Sequence, residues 1–161
     1  MLLKRPVQML GFVAVVALAS AQEVAAASLE VTATVPNACT VDSGDLQFGE
    51  YLSGGGSVQA TGGFNVQCTA PASVLIALDG GLHNGQGNNT RAMSSPSSND
   101  FLDYLLYQAP GFTTVWQPGD ALEYPVVQGA NQIQVNGLID SQQFVAGGDY
   151  SDTVQITLTF N

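Results

Sequence analysis

The sequence predicts an all-β domain folded outside the cytoplasm, on three observations. Short segments alternate apolar and polar residues with period two, the spacing of a strand with one dry face. Lys and Glu, common helix formers, are scarce, while β-branched residues abound. A secretory signature at the start places the only two cysteines, Cys39 and Cys68, in a compartment where disulfides form.

That signature occupies residues 1–21. Lys4 and Arg5 open it, an apolar run follows from Val7 to about Leu18, and Ala19-Ser20-Ala21 supplies the small residues a signal peptidase requires. The run falls short of the ~20 residues a membrane-spanning helix needs, which argues against a retained anchor. Ala25-Ala26-Ala27 offers an alternative cleavage after residue 27. Cleavage removes Lys4 and Arg5, so Arg91 is left as the sole strong base against 13 acids. Such a surface repels nucleic acid and anionic lipid, so no nucleic-acid partner is expected. Negative charge also keeps an exported protein soluble.

In the mature chain, Leu29, Val31, Ala33 and Val35 alternate with Ser28, Glu30, Thr32 and Thr34. Pro36-Asn37 then interrupts, and proline lacks the N–H a ladder needs. This first segment therefore reads either as an edge strand folding back on its own sheet or as an N-terminal arm. Strands are expected around Phe64-Val66-Cys68, Val74-Ile76-Leu78, Leu102-Tyr104-Leu106 and Ile133-Val135. The last alternation is the cleanest: Val154, Ile156, Leu158 and Phe160 against Thr153, Gln155, Thr157 and Thr159. Gly/Ser/Asn/Pro clusters at 53–57, 80–89, 94–99, 118–120 and 147–149 separate them as turns, the punctuation of a β-sandwich. About 140 residues without linker or repeat make one domain. Its one expected disulfide closes a loop worth about 3–4 kcal/mol in the chain-entropy model.

Certain segments carry a resemblance. Cys39-Thr40-Val41, Leu46-Gln47-Phe48-Gly49 and Val66-Gln67-Cys68 resemble the spore coat protein U domain family, which includes subunits of archaic, Csu-type chaperone–usher pili. The likeness continues through Asp79-Gly80-Gly81, Arg91-Ala92-Met93, Tyr104-Leu105-Leu106-Tyr107 and Trp116, and closes with Gly148-Asp149-Tyr150-Ser151-Asp152-Thr153-Val154. What it implies is an incomplete immunoglobulin-like β-sandwich, lacking its last strand and completed by a donor strand. It implies a Cys39–Cys68 disulfide joining the first two strands and a donor-strand arm over residues 22–36, ahead of a domain over 37–161. Leu29, Val31, Ala33 and Val35 would then be the donor face, and Val154, Ile156, Leu158 and Phe160 part of the acceptor groove. The implied partners are a periplasmic pilus chaperone, an outer-membrane usher, and identical or related subunits joined by strand exchange.

Other functions lack support in the residues. Paired-carboxylate hydrolysis needs two acids across a cleft, and no spacing singles out a pair. A serine triad would have to use His83, without a nucleophile-elbow pattern. No phosphate-cradling motif is present, and His83 has no ligand-spaced partner, so neither enzyme chemistry, cofactor nor metal is expected. Arg91 reads as the partner of a carboxylate, and Trp116, Tyr104 and Tyr107 as core or groove lining. The alternatives kept are a secreted binding module, sugar-binding or adhesin-like, and a self-associating coat or matrix protein.

Overall fold

The computed structural model describes residues 23–83 and 90–160. The signal peptide expected at 1–21 falls outside them, as does most of the 80–89 turn cluster. The chain divides into two units, Met1–Thr34 and Val35–Asn161. In the first, the described residues form no regular secondary structure and are exposed.

The second unit holds eight described strands: β1 (Cys39–Val41), β2 (Val58–Cys68), β3 (Ala72–Leu78), β4 (Arg91–Ser94), β5 (Phe101–Gln108), β6 (Ala121–Val126), β7 (Gly129–Ile139) and β8 (Ile156–Phe160). They make a five-stranded sheet in the order β1-β2-β7-β5-β4 and a three-stranded sheet in the order β6-β3-β8. All named pairings are antiparallel. The sheets pack face to face because the alternating residues of each point inward. Phe64, Val66, Ile133 and Val135 from one meet Val74, Ile76 and Leu78 from the other, all buried.

The four internal strands expected from alternation are present as β2, β3, β5 and β7. β8 begins at Ile156, so Val154 precedes it. The Leu29–Val35 alternation, by contrast, forms no strand. β1, β4 and β6 had no alternation to announce them. β6 even carries Pro125, which is tolerated because β6 is an edge strand whose sole ladder partner among the described residues is β3.

Register assigns each loop to an end of the sandwich. Cys39 pairs with Cys68 and Phe160 with Val74, so the β2–β3 and β6–β7 turns and the start of β1 share one end. Val58 pairs with Ile139 and Ile156 with Leu78, so the 49–57 and 140–155 segments share the other.

Candidate functional site: the open seam between β1 and β8

Among the described residues, β8 is an edge strand with β3 on one side only. Asp79 N donates to Gln155 O (3.1 Å), which makes that pair hydrogen-bonded. By the alternation of an antiparallel ladder, Thr157 and Thr159 turn their amides toward β3. Ile156, Leu158 and Phe160 therefore turn theirs outward, toward the seam. Their side chains point into the sandwich yet are only half-buried, whereas Val74 and Ile76 next door on β3 are fully buried. The same shortfall marks the facing edge, where Val41, Leu46 and Phe48 are half-buried beside the buried Val66 and Phe64. β1 and β8 are neighbours across this seam without sharing a ladder. Among the described residues, the outward edge of β8 therefore has no ladder partner, and the apolar side chains on both sides of the seam stay half-buried.

The seam widens toward the Ile156 end into an open cavity of about 360 Å³. Leu46, Phe48, Tyr104, Leu106, Val154 and Ile156 line it in part. Phe48 meets Tyr104 edge-on, with ring centroids 5.8 Å apart.

Both edges are held in place. Ala38 and Thr69 exchange bonds at one end of β1, since Thr69 N donates to Ala38 O (2.9 Å) and Ala38 N to Thr69 Oγ1 (2.9 Å). Cys39 and Cys68 are thus a closely spaced, non-hydrogen-bonded pair with Cα atoms 4.2 Å apart, and they are joined by a disulfide. A three-residue strand is too short to hold itself, and this bond fastens it to β2.

On the other edge, a polar latch fixes the approach to β8. Tyr104 Oη donates to Asp152 Oδ2 (2.7 Å), and Leu82 N donates to Asp152 Oδ1 (2.8 Å). Gln155 N and Gly81 N both donate to Asp79 Oδ1, at 2.8 and 2.9 Å. Ser94 and Ser151 exchange backbone bonds of 3.0 and 2.9 Å. Gly81 sits at φ +76°, and a Cβ there would collide with the Asp152 carboxylate, so this turn requires glycine. Burial, with the Asp152 carboxylate accepting its hydrogen bond, pushes the Tyr104 phenol far above the ordinary tyrosine range.

Arg91 lies deeper, fully buried. Its Nε donates to Asp79 O (2.7 Å), and its terminal nitrogens donate to Trp116 O (3.0 Å) and Leu78 O (3.3 Å). Its partners are main-chain carbonyls, which corrects the expectation of a direct carboxylate pair. Burial lowers its pKa, while Tyr104, Asp79 and Asp152 act the opposite way. Trp116 is fully buried and stacks on Tyr124 at 5.9 Å, and is core. Ser94 Oγ of β4 lies 2.8 Å from His83 Nε2 and the His83 ring leans on Phe101 of β5, so the two contacts tie the loop to both strands.

Of the residues expected at the site, Val154, Ile156, Leu158 and Phe160 share the seam. Leu29, Val31 and Val35 are 88, 83 and 85% exposed, and Ala33 is exposed with them. Alternation alone did not mark Leu46, Phe48 and the Asp152 latch, which come together only through the fold.

The Spore Coat Protein U domain matches residues 25–157, taking in most of the exposed segment and the sandwich up to the start of β8. The chain belongs to this family. Protein U of Myxococcus xanthus is 33% identical over 152 residues, covering 84% of this chain and 85% of that protein. Among solved structures, the spore coat protein U domain resembles one from a chaperone–tip adhesion subunit pre-assembly complex of the archaic chaperone–usher Csu pili of Acinetobacter baumannii. There the TM-score is 0.52 at 24% identity, covering 79% of this chain and 40% of that one. It also resembles a subunit in a chaperone–usher pilus structure concerned with rod uncoiling, with a TM-score of 0.53 at 16% identity, covering 89% of this chain and all of that one. The shared feature is the immunoglobulin-like sandwich.

Proposed function

We propose that this chain is a non-catalytic structural subunit of an extracellular fibre assembled by donor-strand exchange. In this reading residues 1–21 are removed on export, residues 22–36 are the donor arm, and the β1/β8 seam is the acceptor. The observation that carries it is the seam. It has outward-facing amides on Ile156, Leu158 and Phe160 and half-buried apolar side chains, in a chain that also carries an exposed alternating segment outside its sheets. An added strand bonds through its main chain and fills pockets with alternate side chains. Leu29–Val35 spans the same number of residues as Val154–Phe160, so the two alternations match in length. Burying Leu29, Val31 and Val35 contributes ~1.5–3 kcal/mol for each fully buried side chain. A bare edge of this kind is an aggregation hazard, which is why a periplasmic chaperone would cover it before an outer-membrane usher exchanges it for the next arm.

Topology favours one orientation. The arm leaves the domain at the Cys39 end, so subunits stack end to end when the arm of one enters its neighbour at the Ile156 end. The donor then runs antiparallel to β8, with Val35 at the cavity and Leu29 near Phe160.

The double variant Leu29→Asp, Val31→Asp tests the reading. Unheated SDS gels of the exported wild type should show a ladder that collapses on boiling, and the variant should run as a monomer. A ladder unchanged by the variant would refute the donor assignment.

A further inference from the structure

Two exposed apolar features sit at opposite ends of the sandwich. At the Cys39 end, the β6–β7 turn presents Val127, 62% exposed. Asn131 lashes that turn down: its Oδ1 accepts from Val127 N (2.8 Å), and its Nδ2 donates to Val127 O (2.8 Å) and Gly129 O (3.0 Å). The turn is a rigid knob, and the strand it opens is two places from β1 in the same sheet. At the Ile156 end, Leu52 (68% exposed), Tyr51, Tyr150 and Val145 help line a cleft of about 500 Å³, and Phe144 (82% exposed) precedes Val145 outside that lining. The loops bearing them are interlocked. Gly54 N donates to Gln143 O (2.7 Å), Gln142 N to Gly55 O (2.9 Å) and Val145 N to Ser53 Oγ (3.0 Å). Phe144 is so close over Gly54, at φ +69°, that a Cβ there would lie 2.5 Å from its ring. This cleft is continuous with the acceptor cavity, sharing Leu46, Phe48 and Asp152 with it.

We infer that the Val127 turn of one copy docks on the Leu52 cleft of the next, beside Phe144, a second contact between subunits besides the donor strand. The inference rests on the strand-exchange reading and on chain length. Only residues 36–38 separate the last donor residue, Val35, from β1. Val35 and Cys39 are four residue steps apart, a reach of ~14 Å at most, so a copy whose Val35 occupies its neighbour's cavity brings its own Cys39 end against that neighbour's Ile156 end. Those are the ends that carry the knob and the cleft. Head-to-tail contacts of this kind build open filaments, since neither surface is met by its own copy. The docking would set how stiffly adjacent subunits are aligned.

Cysteine pairing tests it. Both native cysteines are in the disulfide, so the double variant Val127→Cys, Phe144→Cys adds the only free thiols among the described residues. Oxidised fibres should then give a ladder that survives boiling and disappears with reductant. Leu75→Cys, Phe144→Cys, with Leu75 exposed on an outer sheet face, should give none. If the heat-sensitive ladder forms but no boiling-resistant one exceeds the Leu75 control, the docking is overturned while strand exchange stands. Absence of even the heat-sensitive ladder from wild-type protein would overturn both. As a thiol-free check, Val127→Asp and Phe144→Asp should each keep the heat-sensitive ladder but lower its collapse temperature. A collapse temperature equal to that of wild type and Leu75→Asp would also overturn the docking.

Discussion

The sandwich has two sides where the edges of its sheets come together, and they are finished differently. On the side of β4 and β6 the chain supplies its own closure. Trp116 enters between the sheets and stacks on Tyr124 of β6, while Arg91 of β4 ties down the carbonyls of Leu78, Asp79 and Trp116. On the side of β1 and β8 nothing equivalent intervenes among the described residues, and the inward side chains stay half-buried. β3 and β8 have the same apolar alternation, pair in register and lie in the same sheet, yet only the inward side chains of β3, Val74, Ile76 and Leu78, are buried. What differs is the number of neighbouring strands. An edge strand with a core-like face is an unfinished structure.

This contrast can be broken from the closed side first. Trp116→Ala should cost about 3–5 kcal/mol in denaturant unfolding, the cost of a large buried cavity. If it cost no more than a change on β8, the two sides would not differ as described. Reduction of Cys39–Cys68 should cost about 2–4 kcal/mol, and it should also impair polymer formation, because it frees β1 from one wall of the seam. Leu158→Ala should cost only about 1–2 kcal/mol in the monomer, since its side chain is half exposed to begin with. Its larger effect should appear as loss of SDS-resistant polymer.

The smallest effect concerns the latch. Tyr104→Phe removes the bond to Asp152 and should cost about 1 kcal/mol at neutral pH. Its pH dependence is more telling. The folded phenol keeps its proton after the unfolded one, with a pKa of ~10, has lost it. The folded state then binds more protons, so its stability is intact below pH ~10 and falls as pH rises beyond. The slope for that one proton is about 1.4 kcal/mol per pH unit. Tyr104→Phe should make the alkaline decline shallower in urea melts. Burial raises Tyr107 and Tyr124 as well, so part of the decline should remain.

Much of this was legible before the fold. Alternation marked β2, β3, β5, β7 and β8 because those strands have one face on the core, and the resemblance pointed to the pairing of Cys39 with Cys68. Three strands escaped. β1 is three residues long, β4 (Arg91–Ser94) buries a charged residue, and β6 holds a proline that only an edge forgives. Period two reports which way a side chain points and is silent on whether another strand covers it. The half-burial of Leu158 therefore had no signature, and Leu29 and Leu158 read alike. The latch was hidden for another reason: Asp79, Tyr104 and Asp152 are far apart in sequence and meet only where β3, β5 and the approach to β8 converge.

Among the described residues β8 lacks a second partner strand, which in the proposed assembly the arm of another copy supplies. Residue-resolved hydrogen exchange on the Leu29→Asp, Val31→Asp monomer, with and without a peptide of residues 22–36, tests it most directly. The amides of Ile156, Leu158 and Phe160 should exchange quickly alone and become protected with the peptide, while those of Thr157 and Thr159, turned toward β3, should hardly change. Seam-facing amides that are already protected, or that stay unprotected at saturating peptide, would contradict it.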